Sequence, residues 1–169
     1  KYKQNVKALQ ESEEMVKAFL NAPAEVMLWV DVQGVILRAN DAAVERLGKP
    51  VSKLIGMNGW KLIPYELAES RRHYFKKVIR SGKPVRFEDK NRNTFFDNVF
   101  YPILDELGEV IQVAVLARDI TEQKKVKEQY RDLVEKADIA ILIDDKEGNF
   151  SYFNKKFAQL FGYSSQEIK

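Results

Sequence analysis

The chain has 169 residues, 45% hydrophobic and 31% charged, which is enough apolar material for one domain, or one domain and part of another. Its 28 basic and 25 acidic residues are interspersed and leave a net charge of +3, so it has no basic stripe of the kind a nucleic-acid surface needs. Without cysteine there is no disulfide, thiolate nucleophile or thiolate metal site, and no apolar run approaches the roughly 20 residues that cross a bilayer.

Residues 1–22 read as an amphipathic helix. Tyr2, Val6, Leu9, Glu13, Val16 and Leu20 are spaced alternately by four and three, a heptad seam breached once at Glu13. The pattern suits a coiled coil with a second copy, and equally a helix packed on its own domain. Pro23 ends it, because proline cannot continue a helix. "EVMLWVD" and "GVILRAN" predict two strands around a turn at Val32, Gln33 and Gly34. "DAAVERLG" predicts a short helix stopped by Gly48, and "PVSKLIG" a second one with Ser52 as its N-cap. In "PYELAESRRHYFKKVIRSG", Leu67, Arg71, Tyr74, Phe75, Val78 and Ile79 keep a helical period, with Gly82 at the C-capping position. "PVRFED", "TFFDNVFYPILD" and "EVIQVAVLARD" predict three strands, the last two joined across Glu106, Leu107 and Gly108. Two strands, several helices and three strands predict an α+β domain with an antiparallel sheet and its helices on one face.

After the last strand the pattern changes within three residues. In "RDITEQKK", Asp119 and Glu122 have the spacing of a capping box at the positive end of a helix dipole, a cap worth about 1 kcal/mol. Ile120 between them is placed to anchor the junction in the core. The helix that follows, 121–137, sets Val126, Tyr130, Leu133 and Ala137 in a second seam, from which a homodimer is expected.

The chain also repeats itself. With Gly148 laid on Gly34, an offset of 114 positions, Leu28 falls on Leu142, Asp31 on Asp145, Asn40 on Asn154 and Gly48 on Gly162. One complete module and the opening third of a second are expected, in a fragment of a longer protein. Residues 138–169 supply two strands and a short helix without the three strands that would complete their sheet. Another chain, or the first module, is expected to cover them.

Four stretches in order, "DVQGVILRANDAAVERLG", "SGKPVRFED", "YPILDELGEV" and "RDITEQKK", resemble the PAS domains of bacterial and archaeal signalling proteins, sensor histidine kinases in particular. The resemblance implies a PAS fold, a five-stranded antiparallel sheet with helices on one face, flanked by amphipathic signalling helices. It divides the chain into an amino-terminal helix (1–22), a PAS domain (23–120), a linker helix (121–137) and an incomplete second PAS domain (138–169). It implies a sensory module that responds to a small molecule, redox state or light. Asp119, Ile120 and Thr121 resemble the family's D-I-T signature and, with Glu122, would relay the change into the linker helix and on to a downstream kinase. Val6, Leu9, Val16 and Leu20, then Val126, Tyr130 and Leu133, would form the dimer seams. The module itself would be non-catalytic and cytoplasmic, whether or not its parent is anchored in a membrane.

The family's cavity lies between the inner face of the sheet and the central helices. Alternation, together with matching to flavin-holding relatives, assigns Leu28, Val30, Phe96, Asn98, Phe100, Val113, Val115 and Ala117 to that face. The pocket candidates are Leu28, Val30, Trp60, Phe96, Asn98, Phe100, Val115 and Ala117, most of which would simply serve as core. Asn98 is the polar outlier and needs a partner, whether ligand, water or backbone carbonyl. Trp29, out of phase, is expected on the outer face, under the amino-terminal helix or at a dimer contact.

Two cofactors are disfavoured by particular residues. In "GMNGWKLI", Gly56 and Asn58 fit the light-sensing flavin motif, but Gly59 stands in place of its reactive cysteine, which excludes a flavin photoadduct. Ala117 stands where flavin binders usually carry Gln. Haem would need His73, the only histidine, which is one or two residues out of register with the ligand of oxygen-sensing relatives and flanked by Arg71, Arg72 and Lys76. A small organic ligand, or a ligand-free module that dimerises and relays, remain the alternatives. No metal site is assigned. Asp89, Asp97, Asp105 and Glu106 have no cysteine, histidine or phosphate loop nearby, and "SGK" at 81–83 reads as a helix cap.

Overall fold

The computed structural model describes residues 14–18, 20–21 and 24–162. Val6 and Leu9 of the first seam lie outside the described residues. The chain divides into two compact units, Lys1–Ile120 and Thr121–Lys169.

The first unit runs β1 (Val26–Asp31), β2 (Ile36–Ala39), α1 (Asp41–Leu47), α2 (Val51–Leu54), a 3₁₀ turn (Gly59–Lys61), α3 (Tyr65–Ser81), β3 (Val85–Asn91), β4 (Thr94–Leu104) and β5 (Val110–Asp119). The five strands form one antiparallel sheet in the order β2-β1-β5-β4-β3. First and last strands are therefore neighbours at its centre, with Leu28 opposite Val115 and Val30 opposite Val113. Because side chains alternate across a strand, one face gathers Val30, Phe87, Phe100 and Val113. Onto this face α3 turns Phe75 and Val78, which, with Ile36 and Val85, complete the buried core. Each such side chain contributes about 1.5–3 kcal/mol by leaving water. Aromatic rings set the spacing: Tyr74 stacks on Phe87 at 3.9 Å, while Phe75 meets Trp60 and Phe100 edge-on at 5.1 and 5.9 Å.

The connections follow local rules. Asp31 closes the β1–β2 turn by accepting from the Gln33 and Val35 amides, both at 2.8 Å, and Gly34 takes φ +84°. Gly48 and Gly82 end α1 and α3 in the left-handed conformation. Ser52 does not cap α2: it lies inside the helix, and Pro50 holds the cap position without a side-chain hydrogen bond.

The second unit contains α4 (Thr121–Lys136), β6 (Leu142–Asp144), β7 (Phe150–Phe153) and α5 (Lys155–Phe161). β6 and β7 form a two-stranded sheet on which Ile143 and Phe150 stay 52% and 46% exposed. Its turn repeats the first, with Asp145 accepting from the Glu147 and Asn149 amides at 2.9 Å and Gly148 at φ +84°. On α4, Val126, Tyr130 and Leu133 are 54%, 71% and 72% exposed, so the seam has no partner among the described residues. No described helix is long and apolar enough to cross a membrane.

Candidate functional site

Between the inner face of the sheet and the helices of the first unit lies a cavity of about 440 Å³. One end is apolar, walled by Val30, Ile36, Trp60, Phe100 and Val115. Trp60 is held there by the preceding loop. Asn58 accepts from the Trp60 amide at 3.1 Å and donates to Gln33 O at 3.0 Å, and Gly59 N–H donates to Gly34 O at 2.8 Å. The loop is thus pinned to the β1–β2 turn, and the indole is aimed at the α3 aromatics.

The other end is basic. Arg46 of α1, Arg71 of α3 and Arg92 of the β3–β4 turn line it, with Asn91, Thr94 and Phe96. Arg71 engages Asp89 with two nitrogens, at 2.6 and 3.0 Å, in a pair largely removed from solvent. Arg46 donates through Nη2 to Asp119 at 2.8 Å, with both side chains about two-fifths exposed. The two guanidinium carbons stand 4.8 and 5.7 Å from the centre of the Phe96 ring, so both cations converge on one aromatic side chain.

Of the eight pocket candidates, Leu28, Val30, Trp60, Phe96, Phe100, Val115 and Ala117 line this cavity. Asn98 does not. It is fully buried between Phe96 and Phe100 on β4, opposite Phe87 and Ala117, and neither Oδ1 nor Nδ2 has a hydrogen-bond partner among the described residues. Trp29 faces the other side, sharing a shallow recess with Leu20, Met27, Arg38, Ala114 and Leu116. His73 is exposed on α3 and lies outside the cavity wall.

At the junction, Asp119 remains on β5, opposite Phe96, and α4 starts at Thr121. Ile120 between them is buried, its amide donating to Phe95 O at 2.9 Å. Three of the four acids weighed for catalysis have structural partners: Asp89 pairs with Arg71, Asp97 with Arg86, and Asp105 closes a turn by accepting from the Leu107 and Glu109 amides, while Glu106 is exposed in that turn. The three arginines were not among the sequence candidates. Arg71 did carry a signal, since it falls within the apolar period of its helix.

Residues 20–125 match a family model described as PAS fold, and residues 128–169 one described as PAS domain. Among solved structures, the chain is similar to the PAS domain of Bordetella pertussis BvgS, at 19% identity over 75% of this chain and 99% of that one, with a TM-score of 0.56. It is also similar to a sensory box sensor histidine kinase of Vibrio cholerae (17%, 69% and 98%, 0.53). A domain of an HTR-like protein of Haloarcula marismortui is a third such structure (24%, 59% and 100%, 0.53). At these identities the likeness is one of fold. No curated protein sequence gives a significant match.

Proposed function

The chain belongs to the PAS family, and on that premise we propose that its first module senses a small molecule in the cavity and passes the change through Asp119–Glu122 into α4. PAS domains are in general signal-sensing, non-catalytic modules, and those of sensor kinases precede an output domain. A downstream histidine kinase in the same chain is the output this reading expects. The carrying observation is the cavity. At about 440 Å³ it falls within the roughly 300–1,000 Å³ range of small-molecule sites, mostly apolar with a few convergent polar groups. A fully packed relay module would have closed that space with side chains. The Arg46–Asp119 pair supports the relay, because one partner lines the cavity and the other is the last residue of the strand before the helix. The exposed seam of Val126, Tyr130 and Leu133 supports a parallel homodimer through α4.

Native and denaturing mass spectrometry of the purified chain tests both parts. The expected result is a dimer carrying extra mass that is lost on denaturation, with Leu133→Glu giving the monomer. An unloaded chain whose melting temperature no compound in a broad metabolite library raises would overturn the sensor, since a ligand of the native state must stabilise it by mass action. A wild-type monomer would overturn the seam.

A further inference from the structure

Among the described residues, every charged side chain on the cavity wall is an arginine: Arg46, Arg71 and Arg92. The three are not equivalent. Arg71 has committed two nitrogens to Asp89. Arg46 gives a single nitrogen to Asp119, and its other donors have no protein acceptor among the described residues. Arg92 pairs with no carboxylate among the described residues, and its backbone sits at φ +54°, which holds it at the tip of the β3–β4 turn beside the mouth. Three cations facing two carboxylates leave one positive charge at this end. The opposite end, with Val30, Ile36 and Phe100, offers no charge at all.

We propose that the cavity takes an amphipathic monocarboxylate, its apolar body against Val30, Ile36 and Phe100 and its carboxylate on Arg46, in competition with Asp119. This rests on the small-molecule reading above and specifies its chemistry. A single uncompensated charge calls for a monoanion, and the Arg46 guanidinium, which holds Asp119 through one nitrogen only, is a planar fork that a ligand carboxylate engages with two donors in its place. A phosphate would bring a second negative charge with no cation to meet it. Competition follows from position. A ligand carboxylate reaching Arg46 from the cavity meets the group that now holds Asp119, and Asp119 adjoins the buried Ile120 and the start of α4. Ligand and junction then share one cation, and whatever weakens the Arg46–Asp119 pair must strengthen ligand binding to the same degree.

Calorimetry on the whole chain, with octanoate and 4-phenylbutyrate each set against its neutral amide, tests this. Wild type is expected to prefer the carboxylates by about ten- to hundredfold, the usual worth of a hydrogen bond to a charged group. Arg46→Gln is expected to abolish that preference, with its melting temperature reporting whether the fold is intact. Asp119→Asn, which leaves every lining residue in place, is expected to tighten carboxylate binding and leave the amides unchanged. Amides and carboxylates binding wild type equally would overturn the anion and leave the small-molecule site standing. Binding by neither series would overturn the amphipathic carboxylate, and the small-molecule reading is then decided by the compound library above. A carboxylate preference that survives Arg46→Gln, or is weakened by Asp119→Asn, would overturn the competition.

Discussion

Asn154 repeats, 114 residues downstream, the four side-chain hydrogen bonds of Asn40. Asn40 Oδ1 accepts from the Met27 and Ala43 amides, both at 3.0 Å, and its Nδ2 donates to Leu20 O at 3.0 Å and Glu25 O at 2.8 Å. Asn154 does the same with the Ile141 and Phe157 amides and with Val134 O and Ile139 O, all between 2.9 and 3.0 Å. One amide thus caps the helix after it, ties down the strand before it and grips the carbonyl of the helix that precedes the module.

Replacing Asn40 with alanine is therefore expected to cost about 2–4 kcal/mol, the loss of an N-cap plus buried groups left without partners. Amide hydrogen exchange at Met27 and Ala43 should accelerate accordingly. Unchanged protection at those two positions would mean that the clamp is decoration.

The paired glycines respond differently to a methyl group. Gly34 and Gly148 share φ +84°, a conformation that disfavours any side chain by about 1 kcal/mol. A Cβ on Gly148 meets nothing within 4 Å among the described residues, whereas one on Gly34 would collide with Trp60 Nε1. Gly148→Ala should show the backbone cost alone. Gly34→Ala should also push Trp60 off the cavity wall, read as a red shift of its emission in a Trp29→Phe background. Equal behaviour of the two variants would contradict the close approach.

Asn98 points to a change that improves the protein. With both polar atoms of its amide buried and unpaired, Asn98→Leu is expected to stabilise the first unit by about 1 kcal/mol in urea unfolding, while Asn98→Asp, which buries a charge, destabilises it. Because Asn98 is not part of the cavity wall, ligand affinity should not change. A loss of stability in the leucine variant would show that the amide is paired in solution.

Acid should weaken the sheet through Asp97. The Arg86 guanidinium, bonded to it at 2.8 and 2.6 Å, holds this carboxyl below its usual range, and partial burial opposes the shift without cancelling it. A carboxylate whose folded pKa is depressed stabilises fully above its unfolded value, near pH 4, and loses that contribution as pH falls through the folded one. Melting temperature should therefore drop on acidification through that window, and the drop should be shallower in Asp97→Asn. An identical slope in the two proteins would assign the acid sensitivity to other groups.

These contrasts mark what could be read from residue order. Strand alternation is a local property, so the inward positions Leu28, Val30, Phe96, Phe100, Val115 and Ala117 were legible before any fold was known. The repeat was legible too, because Asn40 and Asn154 each satisfy rules that span fewer than 21 residues on either side. The basic end of the cavity was not. Arg46, Arg71 and Arg92 come from two helices and a turn, and only the packing of α1 against β1 and of α3 against β3 and β4 brings them together. Arg71 could have been found, since a cation inside the stripe from Leu67 to Val78 needs a buried acid, and Asp89 is that acid. Asp119 shows the limit most clearly. Its spacing to Glu122 is local and suggests a helix cap, but its bond with Arg46, 73 positions earlier, follows from no short-range rule.

The asparagine clamp also bears on what each module requires of the helix before it. Asn40 and Asn154 hold the helix before each module by a main-chain carbonyl, Leu20 O or Val134 O, and every peptide offers the same carbonyl. The grip is blind to the identity of the side chains on the helix it holds. This one tether therefore asks nothing of the preceding helix's sequence, and both copies of the module in the chain use it on helices of different composition.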